Sequence, residues 1–166
     1  MSDVRKTSQL DRRDWLEAAW EAFATGGIAA VTVQGIAEQL EITRGSFYHH
    51  FSNRADLLRG LLEHWQTEWT TDVRDTIQAL QLDPMQTLVA LARLIRAKGA
   101  SRYDVRVRAW ALTDTTVREV VRNVDEVRLG FIRSQFTALG FDPIEAESRA
   151  RLFLYYELAE PAVLAE

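Results

Sequence analysis

The feature that most constrains this chain is a helical repeat of apolar residues, interrupted at short intervals by helix-capping residues. Apolar side chains recur three and four positions apart along nearly the whole sequence, and no segment shows the sustained alternation of a half-buried strand. Asp, Thr or Asn precedes most repeats, and Gly or Pro follows several of them. The pattern predicts an all-α fold of eight helices joined by short loops.

The capping residues also predict where the helices begin and end. Starts are expected at Asp11, Thr32, Thr43, Asn53, Asp83, Ser101, Asp114 and Asp142. Ends are expected at Gly26, Gly99, Gly140 and Pro161. The helix after Asn53 is expected to run unbroken to Leu80, because apolar residues recur along its whole length.

Composition excludes several classes of protein. The 166 residues include no cysteine, so disulfides, thiolate metal sites and cysteine nucleophiles are excluded. The net charge of −4 argues against coating nucleic acid by bulk charge, but it is compatible with a local DNA-binding patch. The first thirty residues lack an apolar run of the signal-peptide type, and later apolar stretches are broken by charges. We therefore expect a soluble cytoplasmic protein with no membrane span.

Residues 32–51, TVQGIAEQLEITRGSFYHHF, have the pattern of a helix-turn-helix. Two short helices are joined by a tight turn at Glu41 and Ile42, and the small side chain of Ala37 lets them approach closely. Ile36, Leu40, Ile42 and Phe47 supply a small core between them. The second helix of such a unit lies in the major groove of DNA.

The side chains of the second helix suit that position. Arg44 can donate two hydrogen bonds to guanine O6 and N7, and Ser46 offers a hydroxyl to a base or a phosphate. Gly45 lets the backbone approach the duplex, at a cost of about 1 kcal/mol in helix propensity. The groups expected to face phosphate are the polar tips of Tyr48, His49 and His50, together with Arg54 at the start of the next helix.

Residues 32–58, TVQGIAEQLEITRGSFYHHFSNRADLL, resemble the DNA-binding signature of the TetR (tetracycline repressor) family of transcriptional regulators. The resemblance implies an N-terminal helix-turn-helix DNA-binding domain over residues 1–53 and an all-helical regulatory and dimerisation domain over residues 54–166. It also implies a homodimer that binds double-stranded operator DNA and releases it when a small-molecule effector binds the C-terminal domain. The remainder of the chain resembles the family only in architecture.

The resemblance also implies a set of DNA contacts and contains one departure from the family pattern. The implied phosphate contacts are Thr32, Tyr48, His49 and Arg54, and the residues implied to face bases are Gln34, Arg44, Gly45 and Ser46. Glu41 stands where the family usually has glycine, so we expect a glutamate at positive φ, strained by about 1 kcal/mol or more. Its charge would also oppose phosphate.

The C-terminal part offers candidate ligand and dimer contacts. Six aromatic residues could line an apolar effector cavity or simply fill the core: Trp65, Trp69, Tyr103, Trp110, Phe131 and Phe153. Arg106 and Arg108 could meet an anionic ligand or pair with carboxylates. The last two helices are apolar on more than one side, which favours a homodimer built by packing them against a second copy.

Several alternatives stay open at this point. The chain could be a DNA-binding factor that needs no ligand, which a filled core would favour, or, least favoured, a small helical enzyme. We expect no enzyme and no cofactor, because Ser46, His49 and Asp56 have no enclosing pocket, and no metal, because His49, His50 and His64 do not converge. The basic residues Arg5, Lys6, Arg12 and Arg13 could form a DNA-contacting arm or a solvated tail.

Overall fold

A computed structural model of the chain describes residues 10–99 and 101–163, and all regular structure within those ranges is helical. The elements are α1 (Arg12–Gly26), a 3₁₀ turn (Ile28–Ala30), α2 (Val33–Gln39), α3 (Arg44–Phe47), α4 (Arg54–Gln66), a π-helical turn (Thr67–Thr71), α5 (Asp72–Ala79), α6 (Pro84–Lys98), α7 (Ser101–Ala111), α8 (Thr115–Ala138) and α9 (Pro143–Val163). The all-α prediction is confirmed.

Most of the predicted helix starts are confirmed by hydrogen bonds. Asp11 forms a reciprocal capping box with Asp14 at the start of α1. Thr32 accepts from the amide of Gly35 at 3.1 Å, and Asp83 accepts from the amide of Gln86 at 2.9 Å. These caps satisfy amides that have no partner within the helix, so they fix each start locally.

Two expectations about the helices are corrected. The helix after Asn53 is not uniformly α-helical, because a π-helical turn at Thr67–Thr71 interrupts it. The last helix does not end at Pro161 but continues to Val163. Asp104, which together with Ser101 is expected to open α7, is buried and paired with Arg128.

The chain divides into two compact units between Leu62 and Glu63. This division lies within α4, whereas the boundary expected from the sequence lies at residue 53, just before α4 begins. The functional boundary at residue 53 stays a prediction. Each unit has a core of its own.

Aromatic packing in the first unit holds the short helix α3 in place. The ring of Phe47, which is fully buried, meets Trp15 of α1 edge-on at 5.2 Å and stacks on Phe51 at 5.4 Å. A four-residue helix is not stable by itself, because too few hydrogen bonds offset the cost of its nucleation. Phe47 therefore anchors α3 through tertiary contacts.

The second unit has an apolar core contributed by α5, α6, α8 and α9. Its buried members are Val73, Ile77, Leu88, Leu91, Leu129, Ile132, Ala150 and Leu154. In the part of the chain that the structure describes, every helix is too short or too polar to cross a lipid bilayer.

Candidate nucleic-acid interface

The turn between α2 and α3 closes with two backbone hydrogen bonds around a residue at positive φ. The amide of Ile42 donates to the carbonyl of Ala37 at 3.0 Å, and the amide of Glu41 donates to the carbonyl of Glu38 at 3.1 Å. This is the Schellman arrangement, which requires a left-handed residue just after the helix. Glu41 adopts that conformation, with φ of 56°. The positive φ expected at Glu41 is confirmed.

The same turn recurs at the end of α8, where the chain uses glycine. There the amide of Phe141 donates to the carbonyl of Phe136 at 3.3 Å, and the amide of Gly140 donates to the carbonyl of Thr137 at 3.0 Å. Gly140 has φ of 92°. The two turns therefore allow a direct comparison of a glutamate and a glycine in one backbone role.

The outward face of α3 carries the predicted base contacts. Arg44 and Gly45 are exposed and Ser46 is half-buried, while Tyr48, which ends the helix, is 60% exposed. A side chain added at Gly45 would meet only the hydroxyl of Thr43, at 3.6 Å. Packing therefore does not require glycine at position 45.

Arg44 differs from the other cations of the first unit. Apart from His49 and His50, the basic residues within positions 10–62 are five arginines. Arg13 bonds Glu17 at 2.8 Å, Arg59 bonds Asp56 at 2.7 Å, and the guanidinium of Arg12 lies 4.9 Å from the ring centroid of Phe51.

Of the remaining two arginines, Arg54 forms hydrogen bonds with other described residues and Arg44 forms none with them. Arg54 donates from Nε to the carbonyl of Val31 at 2.6 Å and from Nη2 to the carbonyl of Ile28 at 2.5 Å. Among the described side chains of residues 10–62, Arg44 is the arginine with no hydrogen bond, ion pair or ring contact to the rest of the protein. Its charge is available to a partner.

The contacts of Arg54 change the role expected for it. Its guanidinium ties the start of α4 to the 3₁₀ turn ahead of α2, so its hydrogen bonds go to the protein backbone. We therefore assign Arg54 a positioning role, and its contact with phosphate stays a prediction.

The remaining predicted DNA contacts are on α2 and just after α3. Thr32 uses its hydroxyl as a cap for α2, and the side-chain amide of Gln34 donates to Glu38 at 2.9 Å. His49 is exposed. The bond to Glu38 uses one of the two N–H groups of Gln34, so the second N–H and the carbonyl oxygen remain for a base. The spacing of four residues between Gln34 and Glu38 is the sequence signal for this contact.

The predicted basic arm is partly accounted for. Arg12 and Arg13 belong to the first turn of α1 and have partners within the protein. Arg5 and Lys6 lie outside the described residues. Arg12 and Arg13 are therefore helical residues and not part of an extended arm.

Carboxylates also surround the motif. Glu38 and Glu41 are exposed on α2 and the turn, so they oppose the approach of phosphate. The pKa of Asp56 is lowered because the amide of Ser52 donates to its carboxylate, and Arg59 adds a further hydrogen bond. Asp56 therefore stays ionised at the first turn of α4, where a negative charge is favourable.

The second unit contains a small cavity of about 50 Å³. Its walls are mostly apolar and include Trp69 and Phe131, two of the six aromatic residues expected to contact an effector. The other four do not line it. Trp65 is fully buried, Tyr103 stacks on Trp69 at 5.2 Å, Trp110 is buried, and Phe153 packs against the apolar core. Whether any of them contacts a ligand stays a prediction.

Sequence reasoning did not identify the polar part of this cavity. Arg128 donates from Nη1 to both carboxylate oxygens of Asp104 at 3.0 Å, from Nε to Thr70 at 3.1 Å and from Nη2 to the carbonyl of Trp69 at 3.1 Å. Its guanidinium also lies 5.2 Å from the ring centroid of Trp65. Because a π-helical turn disturbs the regular i to i−4 ladder, these bonds support an irregular segment at the cavity wall.

Two further expectations concern ionisable residues. Arg108 pairs with Asp125 through bonds of 2.9 and 2.6 Å, which supports the expected pairing with a carboxylate. Among the described residues no group of three His, Asp or Glu side chains is placed to hold a metal ion.

The exposed motif and the helical fold place the chain in the class of helix-turn-helix proteins. Residues 16–61 match the model of "Bacterial regulatory proteins, tetR family". The chain is 43% identical over 63 residues to the HTH-type transcriptional regulator TtgR of Pseudomonas putida, covering 36% of this chain and 30% of that protein. It is 28% identical over 135 residues to the HTH-type transcriptional repressor KstR2 of Rhodococcus jostii, covering 81% of this chain and 64% of that protein.

A solved structure agrees on the fold. The transcriptional regulator FadR from Bacillus subtilis in complex with stearoyl-CoA superposes with a TM-score of 0.59 at 16% identity, covering 88% of this chain and 82% of that chain. The N-terminal part of the chain, residues 16–61, therefore carries the sequence pattern of the tetR family of bacterial regulatory proteins. Its aligned region spans less than two thirds of each curated relative named above.

Proposed function

We propose that this protein is a transcriptional repressor that binds operator DNA through α2, the turn and α3, and that releases the DNA when a small molecule binds in the second unit. The observation that carries the DNA-binding part is the uncommitted guanidinium of Arg44 on the exposed face of α3. Chromosomal DNA lies in the cytoplasm of a bacterium, so this function would place the protein there.

The roles proposed for the motif follow from what each side chain touches. Arg44 reads a guanine, because a free guanidinium can donate to O6 and N7 together. Gly45 and Ser46 face the same groove, and Tyr48 and His49 donate to phosphate. Thr32 and Gln34 approach from the start of α2, and Gln34 offers a base its second N–H and its carbonyl oxygen while it remains bonded to Glu38.

Binding can be tested by selecting sequences from random double-stranded DNA and then measuring affinity by fluorescence anisotropy. Arg44→Ala should cost about 1–3 kcal/mol and relax preference at one base pair per half-site. Arg59→Ala is a matched control, because Arg59 is exposed in the same unit but bonded to Asp56. Equal loss on every sequence would make Arg44 a phosphate contact, and no binding at low salt to any sequence would refute the proposed function.

The proposed homodimer is supported by the outer face of α9. Leu152 is 70% exposed and Tyr155 is 53% exposed, whereas Ala150 and Leu154 face the core of the unit. A helix with apolar residues on two sides covers one of them in the monomer and leaves the other for a partner. Two copies related by a two-fold axis would bury this face and present two recognition helices to half-sites about 34 Å apart.

Sedimentation equilibrium tests the dimer. Leu152→Glu should place a charge in the proposed interface and shift the protein toward monomer, and operator affinity should fall with it. Leu112→Glu is the control, because Leu112 is 77% exposed but lies in the loop after α7. If Leu152→Glu remains as dimeric as the control, α9 is not the interface.

The cavity supports an effector-responsive repressor over a ligand-independent factor, because a factor of the latter kind needs no space in its second unit. The FadR structure that shares this fold is a complex with stearoyl-CoA, so a ligand-bound regulator of this fold has a structural precedent. Coupling between effector and DNA is typically about 1–3 kcal/mol. A ligand that binds the protein but never alters operator affinity would refute the switch.

A further inference from the structure

The charged groups at the cavity in the second unit are all matched within the protein. Asp104 pairs with Arg128 at 3.0 Å, and these side chains are 5% and 12% exposed. Glu157 pairs with Arg96 at 2.9 Å and is 4% exposed. Arg74, whose side chain is 38% exposed, pairs with Asp75 at 2.9 Å. Each charge at the cavity therefore already has a counter-charge.

The buried arginine has little capacity left for another anion. All three nitrogens of Arg128 donate hydrogen bonds, to Asp104, Thr70 and the carbonyl of Trp69. A ligand carboxylate that replaced the paired bonds of Nη1 would have to displace Asp104, and the buried carboxylate of Asp104 would then lack its partner. The cost of an unpaired buried charge exceeds what a small ligand gains by contact.

The rest of the wall offers contacts to apolar groups. Val73, Leu91, Ile132 and Leu154 contribute aliphatic side chains, and Trp69 and Phe131 contribute rings. The cavity volume of about 50 Å³ corresponds to roughly three to five water molecules. In this conformation of the protein, the cavity therefore holds a ligand of only a few heavy atoms.

We propose that the cavity selects an uncharged, mainly apolar effector, because Asp104 cancels the charge of Arg128 inside it. This inference rests on the proposed function only in treating the cavity as the effector site. It separates this chain from a regulator whose ligand is anionic, since the wall presents no uncompensated cation. Asp104 is thereby the residue that determines the charge of the ligand.

The test uses three nearly isosteric probes that differ in charge at neutral pH: propionamide, propionate and propionamidinium. Each is titrated into the full chain without DNA, and binding is followed by the NMR signals of the cavity methyl groups of Val73, Leu91, Ile132 and Leu154. The methyl groups of Val31 and Leu57 in the first unit serve as references. We expect propionamide to bind at least about tenfold more tightly than either ion.

A pair of matched variants tests the role of Asp104. Asp104→Asn leaves the charge of Arg128 uncompensated, so propionate should become the preferred probe by roughly tenfold. Asp125→Asn makes the same chemical change at the Arg108 pair, which does not line the cavity, and should keep the wild-type order.

The outcomes distinguish this inference from the proposed function. Propionate or propionamidinium binding as tightly as propionamide in the wild type would overturn it, and so would the absence of any cavity methyl shift with propionamide. Unchanged probe preference in Asp104→Asn would overturn the role of Asp104. Because no DNA is present, operator binding can fail while the probe order holds, and the reverse can also occur.

Discussion

Replacing Glu41 with glycine should stabilise the protein, because Glu41 occupies a left-handed position that the turn between α2 and α3 requires. Its φ is 56°, and the matching turn after α8 uses Gly140. An L-residue in this region costs about 1–2 kcal/mol. Glycine recovers that strain but loses about 0.4–1 kcal/mol through the greater freedom of the unfolded chain. The difference between the midpoints of these two ranges gives an expected net gain in the free energy of unfolding of about 0.8 kcal/mol.

Thermal and urea unfolding followed by circular dichroism measure this gain. For a chain of this size it corresponds to a rise in Tm of about 1–4 °C. Gln81→Gly should behave similarly, since Gln81 has φ of 49° after α5. Gln39→Gly, at the last helical residue of α2, should instead destabilise by about 1 kcal/mol. A Glu41→Gly protein that unfolds at or below the wild-type Tm would refute the strain explanation.

Glu41→Gln separates strain from charge, because glutamine keeps the Cβ but removes the carboxylate. It should leave Tm unchanged while raising affinity for operator DNA by about two- to fivefold, the effect of removing one exposed charge near phosphate. Glu41→Gly should raise affinity by a similar factor. If glutamine stabilises the protein as much as glycine does, charge and not φ limits the stability of the turn.

Three further substitutions test the first unit. Gly45→Ala should retain or slightly raise Tm, since only Thr43 is near the added carbon, but should weaken operator binding in an anisotropy titration; unchanged affinity would remove the reason for glycine there. Arg54→Lys should lower the free energy of unfolding, measured in urea, by about 1–3 kcal/mol. The reason is that one ammonium group cannot replace the two bonds from the guanidinium to the carbonyls of Val31 and Ile28. A variant as stable as the wild type would contradict the positioning role. The pKa of Asp56 is lower in the folded state than its unfolded value near 3.8, so the carboxylate stabilises the protein above that pH and this stabilisation is lost as the pH falls through the folded-state pKa. Asp56→Asn should therefore reduce the loss of Tm in acid. A pH profile of Tm identical to that of the wild type would contradict this role of Asp56.

The local elements of this fold were accessible to sequence reasoning because caps and turns involve residues close together in the chain. Asp11 and Thr32 bind amides within three residues, so their roles can be inferred from spacing alone. The positive φ of Glu41 was implied by the resemblance to a family that usually has glycine in this turn, and the structure confirms it with φ of 56°. By contrast, the π-helical turn at Thr67–Thr71 has no comparable sequence signal, and the apolar repeat predicted a regular helix through it.

The sequence by itself determined the all-helical class, the helix-turn-helix and the exposed chemistry of Arg44, because each depends on neighbours within a few positions. Only the tertiary structure decided which partner each arginine binds. Arg54 meets the carbonyls of Ile28 and Val31 more than twenty positions away, and Arg128 meets Asp104 and Thr70 across separate helices. Such partners are chosen by packing, since a guanidinium within reach of several acceptors binds those that the folded backbone brings to it.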